Sequence, residues 1–123
     1  GVEFREMDLT KLSVISNQSL ITDNWSLVTD HWSLITAFAT LHHIPSHEIR
    51  LDILQAVKKL LKSNGRFILS NWQFLNSEKL KARIQPWSRV GLSGADVDEG
   101  DYLLDWRSGG EGLRYAHHFQ RRN

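Results

Sequence analysis

Hydrophobic spacing changes twice between Trp32 and Trp72. Leu34, Ile35, Ala37 and Phe38 form a short apolar run, which predicts a strand. Beyond the turn His42-His43-Ile44-Pro45, the positions Ile49, Ile53, Leu54, Val57, Leu60 and Leu61 recur at helical spacing and predict one apolar stripe. Ser46 is the expected cap of that helix, Glu48 suits its first turn, and Lys58, Lys59 and Lys62 suit its end. Asn64-Gly65 is read as its left-handed stop. Phe67-Ile68-Leu69 then reads as a continuous apolar strand, the pattern of a sheet covered on both faces. Strand, helix and strand in this order predict a parallel βαβ crossover. Ligands of such sheets bind beyond the carboxyl ends of the strands, which directs attention to the residues after Thr36 and after Ser70.

The flanks are less regular. Val2 to Met7 alternates like a strand, and Asp8 follows it. Residues 17–32 hold a duplicated seven-residue repeat: Ser-Leu-Ile-Thr begins at Ser19, Ser-Leu-Val-Thr at Ser26, and a third copy at Ser33 leads into Ala37-Phe38-Ala39. Leucines every seven residues would suit a helical seam, but the Ser, Thr, Asp and Asn between them are poor in helix interiors, and Leu-Ile-Thr and Leu-Val-Thr suit strands. Only the third copy continues into the His-His turn, so it is expected to be the buried central strand. Downstream, Asn76 is the expected cap of a helix over 77–85 ended by Pro86. Residues 90–100 read as a loop carrying Asp96, Asp98 and Glu99, and residues 101–119 as a β-hairpin with a glycine-rich turn.

Composition bounds the chemistry. The 123 residues, 41% of them hydrophobic and 24% charged, suit one modest domain. With no cysteine, disulfides and thiolate metal sites are excluded, and a cytoplasmic setting is expected. No apolar run is long enough to span a bilayer. A formal charge of +1 supplies no general attraction to nucleic acid, so an RNA contact would need a local patch. No glycine-rich phosphate loop follows any predicted strand, and the chain is therefore expected to be part of a larger sheet.

Chemistry-bearing residues concentrate at two places. Ala37 and Phe38 leave a strand at its carboxyl end, where small side chains permit close approach of a ligand. The neighbouring His42 and His43 have three readings: one lines a pocket, both pack a turn, or both join His47 at a metal, for which no ligand set is complete. The hairpin gathers Asp101, Trp106, Arg107, Arg114, Tyr115, His117 and His118, either as a site or as ordinary cross-strand packing.

The stretch Ala37-Phe38-Ala39-Thr40-Leu41-His42-His43-Ile44 resembles the middle of class I S-adenosylmethionine (SAM) methyltransferases. The segments Asp101-Tyr102-Leu103-Leu104-Asp105-Trp106 and Arg114-Tyr115-Ala116-His117-His118-Phe119 are similar to paired segments of the methyltransferases that esterify carboxymethylated wobble uridines of tRNA. In this chain Asp105 stands where those enzymes have proline, and Ala116 where they have tyrosine. The resemblance implies an α/β fold with a partial Rossmann-like sheet and a C-terminal hairpin, forming a single incomplete methyltransferase domain over 1–123. It implies SAM as cofactor, lined by Asp8, Leu9, Ala37, Phe38, Ala39 and His42. It implies a modified tRNA held by Asp101, Trp106, Arg107, Arg114, Tyr115 and His117. Asp8 by itself reads first as a turn cap, and only its place in the resemblance sets the cofactor reading level with that one. A reading from another class is a non-catalytic α/β scaffold that recruits a partner, or itself, through exposed sheet edges.

Overall fold

A computed structural model of the chain describes residues 9–11 and 32–121. The expected strand over 2–7, Asp8, and the duplicated copies before Trp32 lie outside the described residues. Among the described residues two compact units form, one from 9–11 and 32–36 with Leu51–Ile68 and one from Ala37–Arg50 with 69–121. Strand β1 (Trp32–Phe38), helix α1 (His47–Leu60) and strand β2 (Leu61–Ser70) run from one into the other. No helix among the described residues is long and apolar enough to cross a membrane.

In the first unit, β1 and β2 form a two-stranded parallel sheet joined through α1, as strand, helix and strand order predicts. The buried stripe of α1 is Ile53, Ala56, Val57 and Leu60, which is the i, i+3, i+4, i+7 pattern of one face. Leu54 falls beside that stripe and is 38% exposed. The burial expected for β1 is not found: Trp32, Leu34 and Phe38 are exposed, and β2 is its one strand neighbour among the described residues. Ile35 and Ala37, which alternate with these side chains across the pleat, are half-buried. Leu9, in the short turn Leu9–Lys11, is half-buried in this unit.

Gly65 corrects the expectation of a left-handed stop. Helix α1 ends at Leu60, strand β2 begins at Leu61, and Gly65 has no positive φ. Its need for glycine is steric instead. A Cβ there would come within 3.0 Å of the Trp32 and Lys62 carbonyl oxygens and 2.9 Å of Leu61 Cδ2. Gly65→Ala is expected to destabilise the chain by about 1–3 kcal/mol through overpacking, read from the urea midpoint; a loss below about 0.5 kcal/mol would contradict this account.

The second unit holds an antiparallel sheet of β3 (Ile84–Gln85), β4 (Asp101–Trp106) and β5 (Gly112–His117), in that order. The hairpin β4–β5 has the expected position, and β3 adds a third strand that was expected to be helical. Ser77, not Asn76, caps the intervening helix, and α2 (Glu78–Lys81) is only four residues long. Pro86 disfavours helical backbone at Gln85, while pairing of Ile84 with Leu104 and Gln85 with Leu103 satisfies that backbone. Phe74, Leu104 and Ala116 form the buried core, and Trp72, Leu75, Leu80, Ile84 and Tyr102 pack around it.

The acidic loop has local work to do. Ser93 and Asp96 form a capping box around the turn Gly94–Asp96, and the hydrogen bonds from Ser93 hold the Asp96 carboxyl below its ordinary range. Asp98 Oδ2 accepts from the His47 backbone N–H at 3.0 Å, placing a carboxylate at the N-terminus of α1. Ser46 caps the same helix, accepting from Ile49 N–H at 3.4 Å, as expected.

Candidate functional site

The ends of β1 and β2 meet within the second unit. Ala39 N–H donates to Ser70 O at 3.0 Å and approaches Ser70 Oγ at 3.1 Å. Ala39 is held at φ 49°, in the left-handed region that side chains other than glycine avoid. Strained backbone of this kind persists where its surroundings dictate it, often at ligand sites. Ala39→Gly is expected to stabilise the chain by about 0.5–1 kcal/mol in thermal unfolding, since glycine adopts this conformation freely. A loss of stability would contradict the strain. Phe38, just before it, is 63% exposed.

The hairpin register then divides the expected substrate residues. Asp101 lies opposite His117 and Leu103 opposite Tyr115, whereas Tyr102 lies opposite Ala116 and Leu104 opposite Arg114. Because side chains alternate across a pleated strand, Asp101, Tyr115 and His117 share one face, and Arg114 and Trp106 share the other.

On the first face the polar groups saturate one another. Asp101 Oδ1 accepts from Tyr115 Oη at 2.7 Å and from His117 Nδ1 at 2.6 Å, and Asp101 Oδ2 accepts from Asp98 N–H at 3.0 Å. Arg50, 4% exposed, donates through Nη1 to Tyr115 Oη and to the Ile44 carbonyl, each at 2.8 Å. Burial, reinforced by the bond to Asp101, pushes the Tyr115 hydroxyl far above the ordinary phenol range. It is therefore neutral, and this network chiefly supports the fold.

On the second face, residues distant in sequence form an aromatic column. His42, which follows β1, stacks on Trp72, which follows β2, at 5.0 Å between centroids; Trp72 lies parallel to Trp106 at 6.2 Å. The Arg114 guanidinium caps the column 4.1 Å from the Trp106 ring, within cation–π range. Its nitrogen fork has no hydrogen-bond or carboxylate partner among the described residues. Arg107, by contrast, is engaged with Asp105 Oδ2 through Nε at 3.0 Å and Nη2 at 2.7 Å. Trp72 was not singled out by sequence, although an aromatic residue placed just beyond a strand's carboxyl end was the available signal.

His42 is fully buried. Its Nδ1 accepts from the Trp72 backbone N–H at 3.3 Å, which places the proton on Nε2, and Nε2 has no hydrogen-bond partner. Desolvation first and then the nearby His43 push its pKa down; Asn71 opposes them less strongly, and Arg114 adds the smallest downward push. His43 turns Nδ1 toward the Tyr115 carbonyl at 3.1 Å and so has a packing role. Since folded His42 stays neutral while an unfolded imidazole takes up a proton near about pH 6.5, its contribution is held above that value and lost as pH falls below it. His118 is shifted the same way by burial. Urea midpoints measured at about pH 7.5 and about pH 5.5 are expected to differ less in His42→Asn than in the parent chain; equal differences would contradict the assignment.

No family model matches the chain, and neither a curated protein nor a solved structure matches it.

Proposed function

We propose that this chain carries the acceptor side of a SAM-dependent methyltransferase acting on a carboxylate-bearing nucleoside of tRNA. The observation that carries the reading is Arg114, its guanidinium 4.1 Å over the Trp106 ring with no hydrogen-bond or carboxylate partner among the described residues, on the column that begins where β1 and β2 end. A guanidinium fork matches a carboxylate in two parallel hydrogen bonds, and an indole face offers a surface for a base. A carboxylate acceptor is already ionised near neutral pH and needs no general base.

SAM, when bound, supplies an electrophilic methyl group. The residues at the strand ends suit its adenosine: Phe38 is an exposed ring, and Ala37 and Ala39 are small enough for close approach. Asp8 and Leu9 remain assigned to the cofactor by resemblance alone. The protein's part is positioning, as Arg114 aligns the acceptor oxygen and the aromatic column excludes water behind it. Asp101, Tyr115 and His117 support the hairpin from its other face. In the complete enzyme, Arg114→Ala is expected to lower methyl transfer to carboxymethyluridine-containing tRNA about a hundredfold, with SAM affinity unchanged. Unchanged transfer would reject the role.

One observation favours a second reading, a non-catalytic scaffold. Trp32, Leu34 and Ile68 expose apolar surface at 41%, 51% and 47%. Sedimentation showing a stable dimer, together with calorimetry showing no SAM binding, would select it.

A further inference from the structure

The face of the hairpin that carries Tyr115 borders a groove of about 800 Å³, which lies away from the Trp106–Arg114 face and belongs to no step above. Its apolar surface comes from four places in the chain: Pro45 before α1, Trp87 and Val90 in one turn, Leu92 and Val97 in the loop beyond, and Leu103 of β4. Val90 and Leu92 are 44% and 42% exposed, so this surface is open. The charged lining is of one sign: Glu48, Asp96, Asp98 and Asp101 contribute carboxylates, and no lysine or arginine among the described residues lines the groove.

These carboxylates differ in what they already hold. Asp101 is committed to Tyr115 and His117, and Asp98 to the His47 N–H with Arg50 behind it at 3.9 Å. Asp96 is fixed by Ser93, through its N–H at 2.8 Å and its hydroxyl at 3.0 Å, but remains fully charged. Glu48 has no ion pair among the described residues. A chain of nearly balanced charge therefore presents one pre-set anionic rim around an apolar floor. Such a rim repels phosphate and favours a cation that carries apolar bulk.

We infer that this groove is a docking site for a partner-protein segment that sets a lysine or arginine beside a bulky aliphatic side chain. The volume matches a pocket for a small number of side chains, the aliphatic group replacing water over Trp87, Val90 and Leu92 while the cation meets Glu48 and Asp96. Asp96 is already held in place, so less ordering is required on binding. The inference is independent of methyl transfer, because it uses the opposite face of the hairpin.

The test is a titration of the isotopically labelled chain with an acetylated peptide of alternating leucine and arginine, followed by amide and indole NMR shifts. Expected are shifts at Trp87, Val90, Leu92 and Val97 with a sub-millimolar dissociation constant, on the order of 0.1 mM. The same peptide with glutamate replacing arginine is expected to bind at least about tenfold more weakly, and Glu48→Lys to weaken the arginine peptide about tenfold. Glu48 is exposed, so an unchanged near-ultraviolet circular dichroism spectrum separates lost binding from lost structure. Equal binding of both peptides, no shift at these residues at millimolar peptide, or the same shifts produced by an oligouridylate would overturn the proposal.

Discussion

Phe74→Ala is expected to destabilise the second unit by about 4 kcal/mol, within the usual range for removing a buried ring. Phe74 has no exposed surface and sits in the cluster with Leu104 and Ala116. Tyr102 and His118 present their rings edge to face against it, at 5.5 Å and 5.2 Å between centroids. Alanine would remove these contacts together and leave a cavity bounded by elements that cannot all collapse inward, because β4 is held by β3 on one side and β5 on the other. Urea unfolding followed by tryptophan fluorescence measures the effect. A loss below about 1.5 kcal/mol would show that Phe74 is not the centre of this core.

Asp101→Ala is expected to cost about 3 kcal/mol by a different route. The side chain is 5% exposed and accepts three hydrogen bonds, from Tyr115, His117 and the Asp98 backbone. Alanine leaves each donor without its acceptor, and part-buried donors left unpaired cost more than the same bonds contribute when made. The Arg50 guanidinium would then face Tyr115 with Asp98, at 3.9 Å, as its remaining carboxylate. Tyr115→Phe removes one bond of the same network and is expected to cost about 1 kcal/mol. If the two substitutions cost the same, Asp101 is not the hub.

These two residues also mark what sequence reveals and what it conceals. The α1 stripe is readable because Ile53, Val57 and Leu60 repeat at the helical period, and the hairpin because two β-rich runs flank a glycine turn. The aromatic and charged residues of that hairpin are equally evident, yet their division between two faces is not. Pleat phase depends on pairing register, which Asp101 opposite His117 fixes only in three dimensions. For the same reason, Tyr115 and Arg114, adjacent in sequence, have separate roles. Gly65 reads as a helix stop but answers to the approach of the Trp32 carbonyl, a contact with a distant strand. The expected helix over 77–85 yields at Ile84 because β4 offers its backbone a partner.

The column from His42 through Trp72 and Trp106 to Arg114 joins the strand ends to the hairpin, and the functional reading stands on it. Its most direct test is a titration of the chain with the nucleoside 5-carboxymethyluridine, following the indole NMR signals of Trp72 and Trp106. Saturable shifts of both signals, with a dissociation constant on the order of 1 mM or tighter, and their loss in Arg114→Ala, are the expected result. Shifts that survive in Arg114→Ala, or that are matched by uridine lacking the carboxylate, would contradict it.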